Sequence, residues 1–73
     1  MQNISRSGSI DPMYYDTISK LEKMGVDREY IQGWIGGFMH NPKREEQRIT
    51  EAYEAGYEDG ESKSVENAEQ WKA

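Results

Sequence analysis

From Ile10 onward, large apolar residues recur every three or four positions, the repeat of one face of a helix. Tyr14, Ile18 and Leu21 form the first such stripe. Asp11 can cap this helix, Pro12 fits its first position because a missing amide proton costs nothing there, and Ile10 can close over Tyr15. Gly25 tolerates the left-handed turn that ends helices, so a first helix is predicted over residues 12–24. The arrangement repeats at once. Val26 precedes a second cap, Asp27, and Ile31 follows the cap by four positions, so a second helix is predicted from Arg28. Within it the large residues fall as adjacent pairs: Tyr30 with Ile31, Trp34 with Ile35, Phe38 with Met39. Asn41 and Pro42 stop this helix, and the same two residues can cap and begin a third. There Ile49, Ala52, Tyr53, Gly56 and Tyr57 trace a narrow apolar stripe, and Gly60 is a natural terminator. Residues 1–9 have no periodicity. Residues 61–73 carry only a weak one in Val65, Ala68 and Trp71, so both ends are predicted to be mobile. The expected architecture is all-α, a small bundle of three short helices over residues 10–60 with a flexible N-terminal arm (1–9) and a flexible C-terminal tail (61–73).

The glycines change this picture most. Gly33, Gly36 and Gly37 lie opposite the apolar pairs of the second helix, and each weakens a helix by about 1 kcal/mol relative to alanine. Packing must therefore hold the segment. Glycines beside Trp34 and Phe38 let another backbone come close, either within this domain or from a partner. On the third helix, small Ala52 and Gly56 allow a similarly close approach, flanked by Tyr53 and Tyr57.

With 73 residues, the chain has room for one domain of modest core, whose net stability a partner can raise. Cysteine is absent, which removes disulfides and thiolate metal sites and fits a reducing compartment. No apolar run is long enough to span a bilayer, and the N-terminus lacks the apolar stretch of a signal peptide, so a cytoplasmic protein is expected. The net charge of −5 is unevenly spread. Residues 1–43 are balanced, whereas residues 44–60 hold six acids against Arg44 and Arg48. That acidity disfavours phosphate backbones, so no direct nucleic-acid binding is expected, and it favours basic protein surfaces.

Candidate chemistry is sparse. His40, the single histidine, sits at a predicted helix end where its cation interacts well with the helix dipole. No nucleophile motif or phosphate loop is present, and neither catalytic residues nor a cofactor are expected. Glu51, Glu54 and Glu58 share a helical face and form a solvated acidic surface. A calcium site would need a glycine-bearing loop of alternating oxygen ligands, which is missing. Tyr53 and Tyr57 are expected in the core. Tyr14 and Tyr15 are adjacent and cannot both point inward. Tyr15, Arg28, Met39 and Trp71 are the candidate partner-binding residues, being types enriched at interfaces.

The segments AYEAGYEDG (52–60) and WIGGF (34–38) are similar to the AYxxGYxxG and WxxGW pieces of ribosome modulation factor, in reverse order and with glutamates in place of basic residues. That similarity implies a helix pair closed on small residues and tyrosines. The size and charge of the chain, with NPKREEQR (41–48) and TEAYEAGYEDG (50–60), resemble the small accessory proteins of tailed bacteriophages. Among them it resembles the RNA-polymerase-binding transcription regulators represented in a Xanthomonas phage. The resemblance implies a monomeric, non-enzymatic protein that binds host RNA polymerase in the host cytoplasm, blocks initiation by displacing sigma, and permits antitermination. The alternative is an acidic, nucleic-acid-mimicking inhibitor of a host nuclease or immune effector. On the first reading, Arg28 and the second helix contact the partner while the acidic helix steers approach or excludes DNA.

Overall fold

The computed structural model describes residues 12–72. Three helices carry the fold, α1 (Pro12–Met24), α2 (Arg28–Phe38) and α3 (Glu51–Glu61), with 3-10 turns at Glu46–Arg48 and Ala68–Trp71. The all-α expectation holds. The expected cap Asp11, the staple residue Ile10 and the arm 1–9 lie outside the described residues.

Helix ends follow a single bonding scheme. After α1, the Gly25 amide donates to the Glu22 carbonyl (3.1 Å) and the Val26 amide to the Leu21 carbonyl (3.2 Å). This paired closure requires a left-handed residue, and Gly25 has φ 75°. After α2, the amides of His40 and Asn41 bond to Gly37 (3.1 Å) and Gly36 (2.8 Å) in the same way, and after α3 Lys63 and Ser64 bond to Gly60 (3.0 Å) and Asp59 (2.9 Å). Here the left-handed positions are His40 and Lys63, each at φ 58°. A side chain with a Cβ is strained there, although the Lys63 ammonium at the negative end of α3 recovers part of the cost. Replacing either His40 or Lys63 by glycine should therefore raise stability by up to about 1 kcal/mol, read as a higher thermal midpoint.

The second helix begins as expected. The Asp27 carboxylate accepts from the Glu29 amide at 2.8 Å. The third begins nine residues later than Pro42. Its cap is Thr50, whose hydroxyl accepts from the Tyr53 amide at 3.1 Å, while residues 41–45 are irregular. Two tertiary interactions hold Asn41 and Arg44 out of a helix. The Asn41 carbonyl accepts from the Tyr57 hydroxyl, and the Arg44 guanidinium lies 4.2 Å from the Tyr53 ring centroid.

Packing explains why the connector is long. Carbonyls of Tyr53 and Tyr57 abut Gly33 and Gly37, while carbonyls of Tyr30 and Trp34 abut Gly56 and Gly60. Residue numbers rise together along both helices, so α2 and α3 run parallel and residues 39–50 must return the chain to the starting end. Each glycine hydrogen occupies the direction a Cβ would take and points at a carbonyl oxygen, the setting for weak Cα–H···O contacts. Parallel helix dipoles repel. Acids at the N-terminal ends (Asp27, Glu29, Glu51, Glu54) and Lys63 beyond the C-terminal end of α3 oppose that repulsion.

The connector folds back over the tyrosine stripe of α3. Arg44 bonds Glu29 at 2.5 and 3.4 Å, and the Lys43 ammonium sits 5.1 Å from the Tyr57 ring centroid. The Arg44 hydrogen bond, chiefly, holds the Glu29 carboxyl below its ordinary range against a smaller effect of burial. Glu29 therefore adds stability above its unfolded value, and that addition is lost as pH falls through the lowered folded value. Both side chains are partly exposed (32% and 36%), so the contribution is small.

Residues 64–72, expected as a mobile tail, instead pack on the body. Ala68 is fully buried, in one cluster with Leu21, Val26, Tyr30, Trp34 and Ala52, against which Val65 and Trp71 pack. An isolated antiparallel bridge joins Val26 to Lys72, with the Asp27 amide donating to the Trp71 carbonyl at 2.6 Å. The tail docks because buried partners await it. Trp34 Nε1 donates to the Ser64 carbonyl at 2.9 Å, and Asp59 receives Asn67.

Candidate protein-binding surface

The short turn after α1 reverses the chain, so the first turn of α1 lies beside the C-terminal end of α2. Aromatic rings meet there. Trp34, fully buried, stacks on Phe38 with centroids 5.0 Å apart. Tyr14 packs on both rings, 5.4 Å from Phe38 and 6.2 Å from Trp34. Tyr15 closes the series edge-to-face on Tyr14 at 5.4 Å. The series runs from the core to a ring that is 62% exposed. Met39, 41% exposed, follows Phe38 at the end of α2, and the Lys63 ammonium lies 5.9 Å from the Phe38 ring. Tyr15 and Met39 are the exposed large hydrophobic residues among those described. The chemistry offered is apolar and polarisable contact with a basic neighbour.

The other two candidates lie elsewhere. Arg28 opens α2 and is exposed, about 16 Å along the helix from Met39 at 1.5 Å per residue. Trp71 is near Arg28, through its bond to Asp27, rather than near Tyr15. It is half-buried with its indole N–H enclosed, so it is not the free, sticky side chain expected. The four residues do not form one surface. Tyr15 and Met39 mark one end of the molecule, Arg28 and Trp71 the other.

Glu51, Glu54 and Glu58 are exposed on α3, with Glu54 3.6 Å from Lys43. Among the described residues, no three acidic or histidine side chains gather closely enough to hold a metal ion. Asp59, on the same helix, is buried. It accepts from the Tyr30 hydroxyl at 2.6 Å and from the backbone and side-chain nitrogens of Asn67 at 2.9 and 3.0 Å. Its spacing could have revealed this, since Ala52, Gly56, Asp59 and Gly60 follow i, i+4, i+7 and i+8, a single helix face. Tyr30, its hydrogen-bond donor, is fully buried.

Burial first, and the Asp59 hydrogen bond and charge next, push the Tyr30 phenol far above its ordinary 10.0. Above that value the unfolded chain loses a proton that the folded chain keeps, so stability falls as pH rises. Urea titrations from about pH 8 to about pH 11 should show this loss, at up to about 1.4 kcal/mol per pH unit. Tyr30→Phe should flatten the alkaline slope while lowering stability near neutrality.

No helix among the described residues is long and apolar enough to cross a membrane. Compared with known proteins, the chain matches no family model, no curated protein and no solved structure.

Proposed function

We propose that this chain is a non-enzymatic protein-binding regulator whose partner is bacterial RNA polymerase, acting at initiation by displacing sigma and permitting antitermination downstream. The observation that carries the protein-binding part is the aromatic series ending in exposed Tyr15. A ring already held by its neighbours loses little freedom on docking, which is how aromatic anchors come to dominate small interfaces. The identity of the partner rests on the phage-protein resemblance of the sequence. Surface plasmon resonance with purified core polymerase and sigma-containing holoenzyme tests it. Binding to core that sigma competes for supports the reading, and no binding to either form refutes it.

A second reading, an acidic mimic of nucleic acid that inhibits a nuclease or immune effector, is favoured by the exposed Glu51, Glu54 and Glu58. On that reading binding fails when these three carboxylates are neutralised, whatever stands at Tyr15.

A further inference from the structure

All three helices end in the same paired closure, yet the residue at its left-handed position differs. After α1 it is Gly25, at φ 75°. A Cβ at Gly25 would meet nothing within 4 Å, so glycine stands there for its backbone freedom and not for want of room. After α2 and α3 the same backbone conformation is held by His40 and Lys63, each at φ 58°. Glycine would serve at both positions with less strain, and the attraction of Lys63 to the α3 dipole offsets only part of the difference. Strain of this kind gathers at binding sites, where a side chain is retained for what it contacts.

Location separates the two kinds of ending. Because α1 runs back along α2 while α3 runs parallel to it, His40 and Lys63 share the end that carries Tyr15 and Met39, and Gly25 lies at the other. Both residues are exposed, so neither fills the core. The Lys63 ammonium stands 5.9 Å from the Phe38 ring centroid, and the ion pairs among the described residues, Lys43 with Glu54 and Arg44 with Glu29, leave it without a carboxylate. His40 directly follows Met39. We infer that His40 and Lys63 are binding residues, the polar rim of a docking surface centred on Tyr15 and Met39, and that the partner patch fitting it is apolar with a carboxylate at its edge. The ammonium pairs with that carboxylate, and the imidazole adds a hydrogen bond beside it. The rim belongs to the surface proposed above to meet polymerase and rests on that reading.

Glycine substitution in the full chain separates binding from folding. His40→Gly and Lys63→Gly should each raise the thermal midpoint and weaken binding to core polymerase in surface plasmon resonance, by about tenfold or more for Lys63→Gly. A variant more stable than the unsubstituted chain cannot lose binding through unfolding. Lys63→Arg should bind as the unsubstituted chain does, and Lys63→Glu should bind most weakly of the series. Glycine variants that are stabilised and still bind at full strength overturn the inference while leaving the polymerase reading in place. Glycine variants that are destabilised also overturn it, because the two side chains then serve the fold. Equal binding by Lys63→Arg and Lys63→Glu rules out the carboxylate. An unsubstituted chain that binds neither core polymerase nor holoenzyme refutes the rim and the polymerase reading together.

Discussion

Gly37→Ala should abolish folding. A Cβ at Gly37 would overlap the Tyr57 carbonyl oxygen and lie 2.9 Å from its carbonyl carbon, and one at Gly56 would collide in the same way with Tyr30 across the interface. Backbone cannot step aside as a rotamer can, so α2 and α3 would have to separate. Losses of this kind exceed about 4 kcal/mol, and a core of this size seldom supplies more than about 3–5 kcal/mol. Gly36 is the internal control. Its Cβ would stand 3.4 Å from the Tyr57 ring, an ordinary contact, so Gly36→Ala gains helix propensity and should stabilise by up to about 1 kcal/mol. Circular dichroism of the two neighbouring variants gives the comparison. Equal destabilisation by both would mean that the parallel backbone contact is wrong.

Asp59→Ala should cost about 3 kcal/mol in urea denaturation, because it strands the buried Tyr30 hydroxyl and two Asn67 donors at once. Asp59→Asn should cost about 1 kcal/mol. The asparagine oxygen can take the place of the carboxylate oxygen that receives Tyr30 and the Asn67 amide, while the Asn67 side-chain amide turns to present its oxygen to the new NH2. The pair of variants separates hydrogen bonding from charge. If Asn were as damaging as Ala, the negative charge itself would be holding the tail in place.

What could be read from the chain was what neighbouring residues decide. Gly25 and the cap Asp27 are visible because the residues that satisfy them lie within four positions. Asn41-Pro42 carries a helix-start pattern as good as that of Thr50, yet loses to it because Tyr57 and Tyr53, distant in sequence, claim Asn41 and Arg44. The small residues on α2 and α3 announced a close approach but not its direction. Parallel pairing depends on which carbonyl faces which glycine, and periodicity contains no such information. The same limit applies to the tail. Val65, Ala68 and Trp71 show the spacing, but the acceptor that holds the segment is Asp59, a charge that composition assigns to the surface. For the binding surface, residue type alone selected Tyr15 and Met39 correctly as exposed, while the placing of Trp71 at the opposite end, near Arg28, depends on where the tail docks, which no local pattern shows.

The proposed docking of the aromatic end on a protein is tested most directly by surface plasmon resonance against RNA polymerase at two salt concentrations. Tyr15→Ser with Met39→Ser changes two exposed side chains and should leave the fold intact. Dissociation should speed up by about tenfold or more, equivalent to roughly 1.4 kcal/mol. Replacing Glu51, Glu54 and Glu58 together by glutamine should alter association, mainly at low salt, and leave dissociation nearly unchanged. Normal binding by the Tyr15 and Met39 variant, with binding lost in the glutamine variant, would contradict the account and make the acidic face of α3 the docking surface.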